Sequence, residues 1–440
     1  MKYIFLLISL FTFNFLQAQV TGVVKDAAGE PIPGANVFWM NTTNGVTTNE
    51  DGNFSIHKPA RSHMLVVSFI GFENDTIHVD KGNQQLDIVL REGVELSEVN
   101  VVTRKLGTMK LRTSVMNEDM ISSAELTRAA CCNLGESFVT NPSVDVSYSD
   151  AATGAKQIKL LGLSGTYVQM MTENIPNFRG AAAPYGLGYV PGPWMQSIQV
   201  SKGSSSVKNG YESITGQINV EFKKPQLPEA DWVSANLFAS STNRYEANAD
   251  ATVKLSKRWS TSLLAHYENE TKSHDSNDDG FVDIPRVEQY NVWNRWAYMG
   301  DHYVFQAGIK ALHETRNSGQ IAHGNTPSHD LYEIGIKTNR YEAFTKNAYI
   351  FDKEKNTNLA LILQGTLHNQ DANYGRKLYD VDQSNFYASL LFETELSKQH
   401  SLSAGLSFNY DGYDQNYRLT NQAEEGLTKK FVKESVPGAY

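Results

Sequence analysis

The sequence predicts a mainly β protein in three successive parts: a small β-sandwich, a mixed α+β segment, and the N-terminal part of an antiparallel transmembrane β-barrel. Three observations predict it. Residues 20–92 alternate short strand patterns with Gly/Pro/Asp turns. After residue 230, apolar and polar residues alternate with period two over repeated stretches of about ten residues, the length a tilted membrane strand needs. Past the N-terminus no apolar run approaches a membrane helix, in a chain that is 40% hydrophobic.

With 440 residues the chain exceeds one ordinary core. A net charge of -9 without a basic tract argues against a nucleic-acid partner. Lys2, an apolar run over 3–16 and the small residue Ala18 form a secretory signal peptide, residues 1–18, so the mature chain is exported. Cys131 and Cys132 are adjacent and are the only two cysteines, so no disulfide framework exists.

The first part, residues 19–92, carries "GVVKDAAGEPIPGANV", "TNEDGNFSI" with a turn at Asp51-Gly52, and "LVVSFIGF". This pattern resembles the carboxypeptidase regulatory-like domain, a transthyretin-like sandwich, and implies no peptidase activity. Residues 93–104 form a linker whose β-branched "LSEVNVVT" is suited to adding a strand to another sheet.

Residues 105–224 mix helix and strand signals. Ser122 or Ser123 can cap a helix ahead of Glu125, and "VDVSY", "KQIKLLGL" and "TYVQMMTENIP" read as strands. From Cys131 to Lys224, above all in "SIQVSKGSSSVKNGYESITGQINVEFKKP", the segment resembles the plug of TonB-dependent outer-membrane receptors. The resemblance makes Leu96, Ser97, Glu98, Val99, Asn100, Val101, Val102 and Thr103 the TonB box. It implies a TonB energy-transducing complex, the barrel-assembly machinery and outer-membrane lipid as partners, with a surface lipoprotein as a further one. It calls for no cofactor and no enzymatic activity.

In the third part, residues 225–440, strands are expected near 232–241, 244–256, 259–270, 291–299, 302–314, 340–352, 357–369, 385–397 and 400–412, with a tenth from about 434. Turns at 257–258, 300–301, 353–356 and 398–399 are short; loops at 271–290, 315–339, 370–384 and 413–433 are long. Short turns alternating with long loops is the outer-membrane barrel pattern. A soluble cell-surface binding or adhesion protein has no reason to keep that parity. In "SLSAGLSFNY", Leu402, Leu406 and Phe408 are then expected to face lipid, and the Ser/Gly/Asn side the lumen. Plugged transporters use about 22 strands, so nine or ten read as a fragment or a truncated frame.

Candidate site residues follow. The plug apex offers Arg179, Tyr185, Tyr189 and Trp194, one cation among aromatics, as ligand contacts. Asp275, Asn277, Asp279 and Asp283 with Gly280 match a calcium loop, although Arg286 stands where a bidentate Glu belongs; the alternative is an acidic surface loop. Cys131 and Cys132, with Met170, Met171 and Met195, suit a soft metal cargo such as Cu(I), or else are small buried hydrophobes. Ser205 and Lys208 match Ser-x-x-Lys, but a Lys-Thr-Gly partner is lacking.

Overall fold

The computed structural model describes residues 19–90, 109–110, 118–128 and 132–440, apart from 27–28, 41, 43, 60–62, 70–71, 73–74, 80–84, 139–140, 142–143, 164, 205, 226–231, 322–330, 398–399 and 421–427. The signal peptide and the TonB box lie outside the described residues. The chain divides into two compact units between Arg104 and Lys105.

The first unit is a sandwich. One sheet has the order β4(Asn53–His57)–β1(Gln19–Lys25)–β7(Gln85–Val89). The other has the order β3(Gly45–Thr47)–β2(Asn36–Trp39)–β5(Met64–Ser68)–β6(Asp75–His78). Period-two alternation sends Val20 and Val24 of β1, and Val37 and Trp39 of β2, into one core, and all four are fully buried. Buried Trp39 keeps its indole N–H satisfied on the His57 carbonyl at 2.9 Å. The expected turn at Asp51-Gly52 is present. Asn49 accepts the N–H groups of Asp51 and Asn53, and Gly52 has a φ of +73°, where a Cβ would sit 2.6 Å from the Val24 carbonyl.

The second unit holds both plug and barrel strands. The plug sheet joins β8(Met109–Lys110), β9(Glu118–Ser122), β14(Met195–Lys202), β15(Gly216–Phe222), β12(Val168–Thr172) and β13(Ile175–Pro176), in that order. Only β12 and β15 pair in parallel. Helix α1(Ser123–Arg128) and the hairpin β10(Val144–Asp150)–β11(Ala155–Leu160) flank it. β15 is buried at every residue, as a central strand covered on both faces must be.

Ten antiparallel strands follow in sequence order: β16(Trp232–Ala239), β17(Arg244–Lys254), β18(Trp259–Glu270), β19(Arg286–Met299), β20(Tyr303–Gly319), β21(Glu333–Asp352), β22(Thr357–Tyr374), β23(Lys377–Ser397), β24(His400–Leu419) and β25(Thr428–Ala439). The sheet is open, with β16 and β25 at its two ends. The expected loop at 370–384 is corrected to a two-residue turn, Gly375-Arg376, with Tyr374 paired to Lys377. The other three long loops also shrink, to 271–285, 320–332 and 420–427. Hydropathy marks only the lipid-facing part of a strand. Here the strands run on beyond it, because their inner face still has something to pack against: Ala372 and Val381 are buried.

This sheet is polar inside and apolar outside. On β18, Ser260, Ser262, His266, Glu268 and Glu270 are buried, whereas Trp259 and Leu263 are exposed. On β24, Leu402, Leu406 and Phe408 are exposed while Asn409 and Asp411 are buried, the polarity expected of "SLSAGLSFNY". Aromatic rings form two outer belts. Trp259, Tyr298, Tyr303 and Phe305 cluster beside the short turns, and Tyr267 packs at a tilt against Tyr290 eight positions further along β18 and β19. Eight residues span about 26 Å of strand, and exposed Leu263, Val292, Trp296 and Ile309 lie between the belts. That is the outer band of a membrane barrel. Among the described residues no helix is long and apolar enough to cross a membrane.

Ile309, 70% exposed on β20, tests which solvent this face meets. Ile309→Arg is expected to destabilise the protein folded into lipid vesicles by about 2–4 kcal/mol in a urea titration. A face turned to water would lose less than about 0.5 kcal/mol.

Candidate functional site: the contact between plug and barrel

The plug touches the barrel wall through irregular backbone. Between Asn177 and Trp194 the chain runs through short 3-10 turns, at Gly180–Ala182, Gly186–Tyr189 and Gly192–Trp194. Such a segment leaves carbonyls without ladder partners. The wall supplies donors. Lys310 and Asn291 both reach the Tyr189 carbonyl, at 3.3 and 3.0 Å, and Gln289 reaches that of Gly188 at 3.2 Å. Arg316 similarly donates to the Thr153 carbonyl at 3.1 Å.

A buried ion pair sits at the tip of the β12–β13 hairpin. Its two-residue turn is Glu173-Asn174, both with positive φ (51° and 61°), the twist a tight hairpin requires. Asn219 accepts the Asn174 N–H at 2.8 Å and fixes the turn. The turn aims Glu173 at Arg295 of β19, 2.6 Å away, with both side chains almost fully buried. Arg295 lies over the Trp293 ring at 4.6 Å and donates to the Lys223 carbonyl at 2.8 Å. Lys346 adds a second cation 3.6 Å from Glu173. Burial alone would raise the Glu173 carboxyl, but Arg295, then Lys346 and Lys224, hold it below its ordinary value.

A second clasp lies at the plug loop. Arg179 bridges Glu212 of the plug (2.6 Å) and Asp411 of β24 (3.1 Å). Fully buried Asp411 also accepts from Gln383, Asn385 and Asn409. Gly180 has a φ of +57°, and a Cβ there would lie 2.4 Å from the Tyr413 hydroxyl, so the loop can approach β24 only as glycine. Buried Trp194 packs on Trp293, 6.3 Å between ring centres, and Trp293 meets Phe222 edge-on at 4.6 Å.

Comparison with known proteins agrees with this arrangement. Residues 20–102 match the family described as CarboxypepD_reg-like domain, and residues 110–217 match the TonB-dependent Receptor Plug Domain. The TonB-dependent receptor SusC of Bacteroides thetaiotaomicron is 28% identical over 245 residues, 52% of this chain and 24% of SusC. TonB-dependent receptor P39 of Formosa agariphila is 39% identical over 100 residues, 22% of this chain and 10% of P39. The ferripyoverdine receptor of the Pseudomonas aeruginosa outer membrane superposes with a TM-score of 0.60 at 12% identity, covering 82% of this chain and 54% of that one. The copper transporter OprC superposes at 0.59 with 11% identity, covering 73% and 51%.

The chain carries a TonB-dependent receptor plug domain.

Only about a quarter of SusC and about half of the structural neighbours are matched by it.

Within this chain, the sequence-predicted site residues separate. Tyr189 and Trp194 are fully buried and fasten the plug, whereas Arg179 is held by two carboxylates and also lines a plug cavity of about 580 Å3. Besides Arg179, Tyr185 lines open space. It shares a cavity of about 450 Å3 with Tyr374, Tyr379 and Tyr413. Cys131 lies outside the described residues. Cys132 is buried, and burial followed by the nearby Glu246 pushes its thiol well up, away from the thiolate that binds soft metals. Met171 and Met195 are buried too. In the 275–283 loop the carboxylates accept backbone N–H groups: Asp275 from Asp279 and Gly280, Asp279 from Phe281, and Asp283 from Ser276. Among the described residues no group of three His, Cys, Asp or Glu is placed to hold a metal. Lys208 of the Ser-x-x-Lys match is paired with Glu393.

Sequence reasoning passed over Glu173, Asp411 and Arg295. The one readable signal was Glu-Asn as the two-residue turn of a hairpin; the partners, more than 100 positions away, left none.

Glu173→Ala would strand Arg295 in the interior and is expected to destabilise the receptor by about 3–5 kcal/mol. The double variant Glu173→Ala/Arg295→Met should recover most of that loss, read by urea melting in detergent. The lowered Glu173 carboxyl also sets a pH dependence. Its contribution is present above the unfolded value of about pH 4.3 and is lost as pH falls through the lower folded value. The thermal midpoint should therefore fall more steeply below about pH 4 in wild type than in Glu173→Gln.

Proposed function

We propose that this receptor serves energised uptake of a scarce ligand (a metal, a metal chelate or another large nutrient) across the outer membrane. The observation that carries the reading is the pairing of an inside-out sheet with a plug held on it by polar contacts, directly after a linker with a strand-forming segment. Residues 96–103 are the proposed TonB box, adding a strand to the TonB energy-transducing complex. Pulling on it would draw on plug contacts that are polar and can be handed to water, such as those from Lys310 and Asn291 to the Tyr189 carbonyl. The barrel-assembly machinery and outer-membrane lipid are partners in this reading, and a surface lipoprotein is a further one.

The ligand is proposed to sit at the plug apex. Two cavities share Pro184 and Tyr185 there. One is the tyrosine-lined space beside β22–β24, and the other lies against β17–β20. Tyrosine rings with Gln370 and Gln415 offer flat apolar faces with hydrogen-bonding rims, suited to an amphipathic ligand.

Deleting residues 96–103 tests the reading. Ligand-dependent growth should be lost while binding to whole cells is retained. Unchanged energy-dependent uptake would reject it. Elemental mass spectrometry on receptor from outer membranes, wild type against Cys131→Ser/Cys132→Ser, decides the metal cargo: stoichiometric soft metal that disappears in the variant would place it at the thiols.

A further inference from the structure

The cavity against β17–β20 measures about 270 Å3 and lies between the plug turn at Pro184–Tyr185 and the ends of the strands next to the 271–285 loop. A water molecule takes about 30 Å3, so the space holds a side-chain-sized organic group.

Its charges do not balance among the described residues. Arg244 serves three carboxylates: Glu136 at 3.0 Å, Glu246 at 2.8 Å and Glu268 at 3.0 Å. Arg316 is taken by Glu314 at 3.0 Å, and Lys156 stands 3.9 Å from Glu136. That leaves Glu270. It is 6% exposed, lines the cavity, and makes no hydrogen bond or ion pair among the described residues. The two nearby imidazoles are engaged elsewhere, His266 with Asn248 and His274 with the Thr242 carbonyl.

A second atom on the same wall points the same way. Gln289 is fully buried and its amide nitrogen is spent on Gly188 and Glu314, but its Oε1 has no partner. An amide oxygen buried without a partner is costly unless a donor meets it, and the Glu270 carboxyl opens on the same cavity. Both are acceptors, so what completes the site is a donor, and a positive one.

We propose that this cavity takes a nitrogen cation, an alkylammonium or guanidinium group borne by an organic ligand. The inference rests on the receptor reading and narrows its ligand. A nitrogen cation carries several N–H donors on a carbon frame that fills the space. Among the described residues no three His, Cys, Asp or Glu side chains are placed to hold one metal ion.

The test is calorimetric titration of the detergent-purified receptor with n-butylguanidinium, with n-butylurea as the neutral isostere. Saturable 1:1 binding of the cation is expected, with at least tenfold weaker binding of the urea. Glu270→Gln, which keeps the shape and removes an unpaired charge, should weaken the cation at least tenfold, whereas Asp301→Asn at an exposed turn should not. Absence of binding to wild type would overturn the proposal, as would equal binding to Glu270→Gln. Stoichiometric calcium or zinc that displaces the cation and is lost in Glu270→Gln would overturn it in favour of a metal. Binding needs no energy source, so its failure is separate from the failure of the uptake reading, which the 96–103 deletion judges.

Discussion

The structure depends on one constraint: a sheet whose outer face is apolar must bury its polar face, and every buried polar group needs a partner. Glu246, His266, Gln289, Asn291, Arg295, Lys310, Arg316 and Arg340 all point inward and are shielded from water. A water-filled lumen could satisfy them, but then they would not be buried. The plug satisfies many of them instead.

The fit is reciprocal. The plug apex is irregular backbone, poor in internal hydrogen bonds, and the wall is rich in long donors. Each supplies what the other lacks. The consequence is a contact that is tight and yet separable. Its apolar part, Trp194 and Phe222 on Trp293, is compact, and much of the remainder is polar pairs that water can take over. Glu173 and Arg295 are the exception. That pair is almost fully buried, so separating it costs more than breaking an exposed bridge. Its carboxylate stands on a strained two-residue turn, with positive φ at a glutamate, held by Asn219.

The charged cavity beside this contact follows from the same constraint, applied where it is not met. Along β17 and β18 the inward positions carry Glu246, Glu268 and Glu270 in one phase. Among the described residues the plug brings Lys156 to meet them there, and Arg244 is shared three ways. Wall and plug complement each other over most of their contact, so a local surplus of acceptors marks a place where a third component completes the set.

Sequence by itself determined the strand periodicity, the sandwich with its Asp51-Gly52 turn, the short turns and the polarity of "SLSAGLSFNY". All of these are local: a period of two, a turn residue, or a side chain's preference for one solvent. Only the tertiary structure decided what the polar phase of each strand does. Glu173 and Arg295, Arg179 and Asp411, and Lys310 and the Tyr189 carbonyl are far apart in the chain. In sequence, an inward Arg on a barrel strand reads the same whether it meets water, a ligand or a carboxylate. For that reason Tyr189 and Trp194 resembled ligand contacts and are packing, and the 370–384 loop resembled a loop and is two paired strands. Burial and partner are properties of a surface assembled from distant segments, and no window of sequence contains both sides of it.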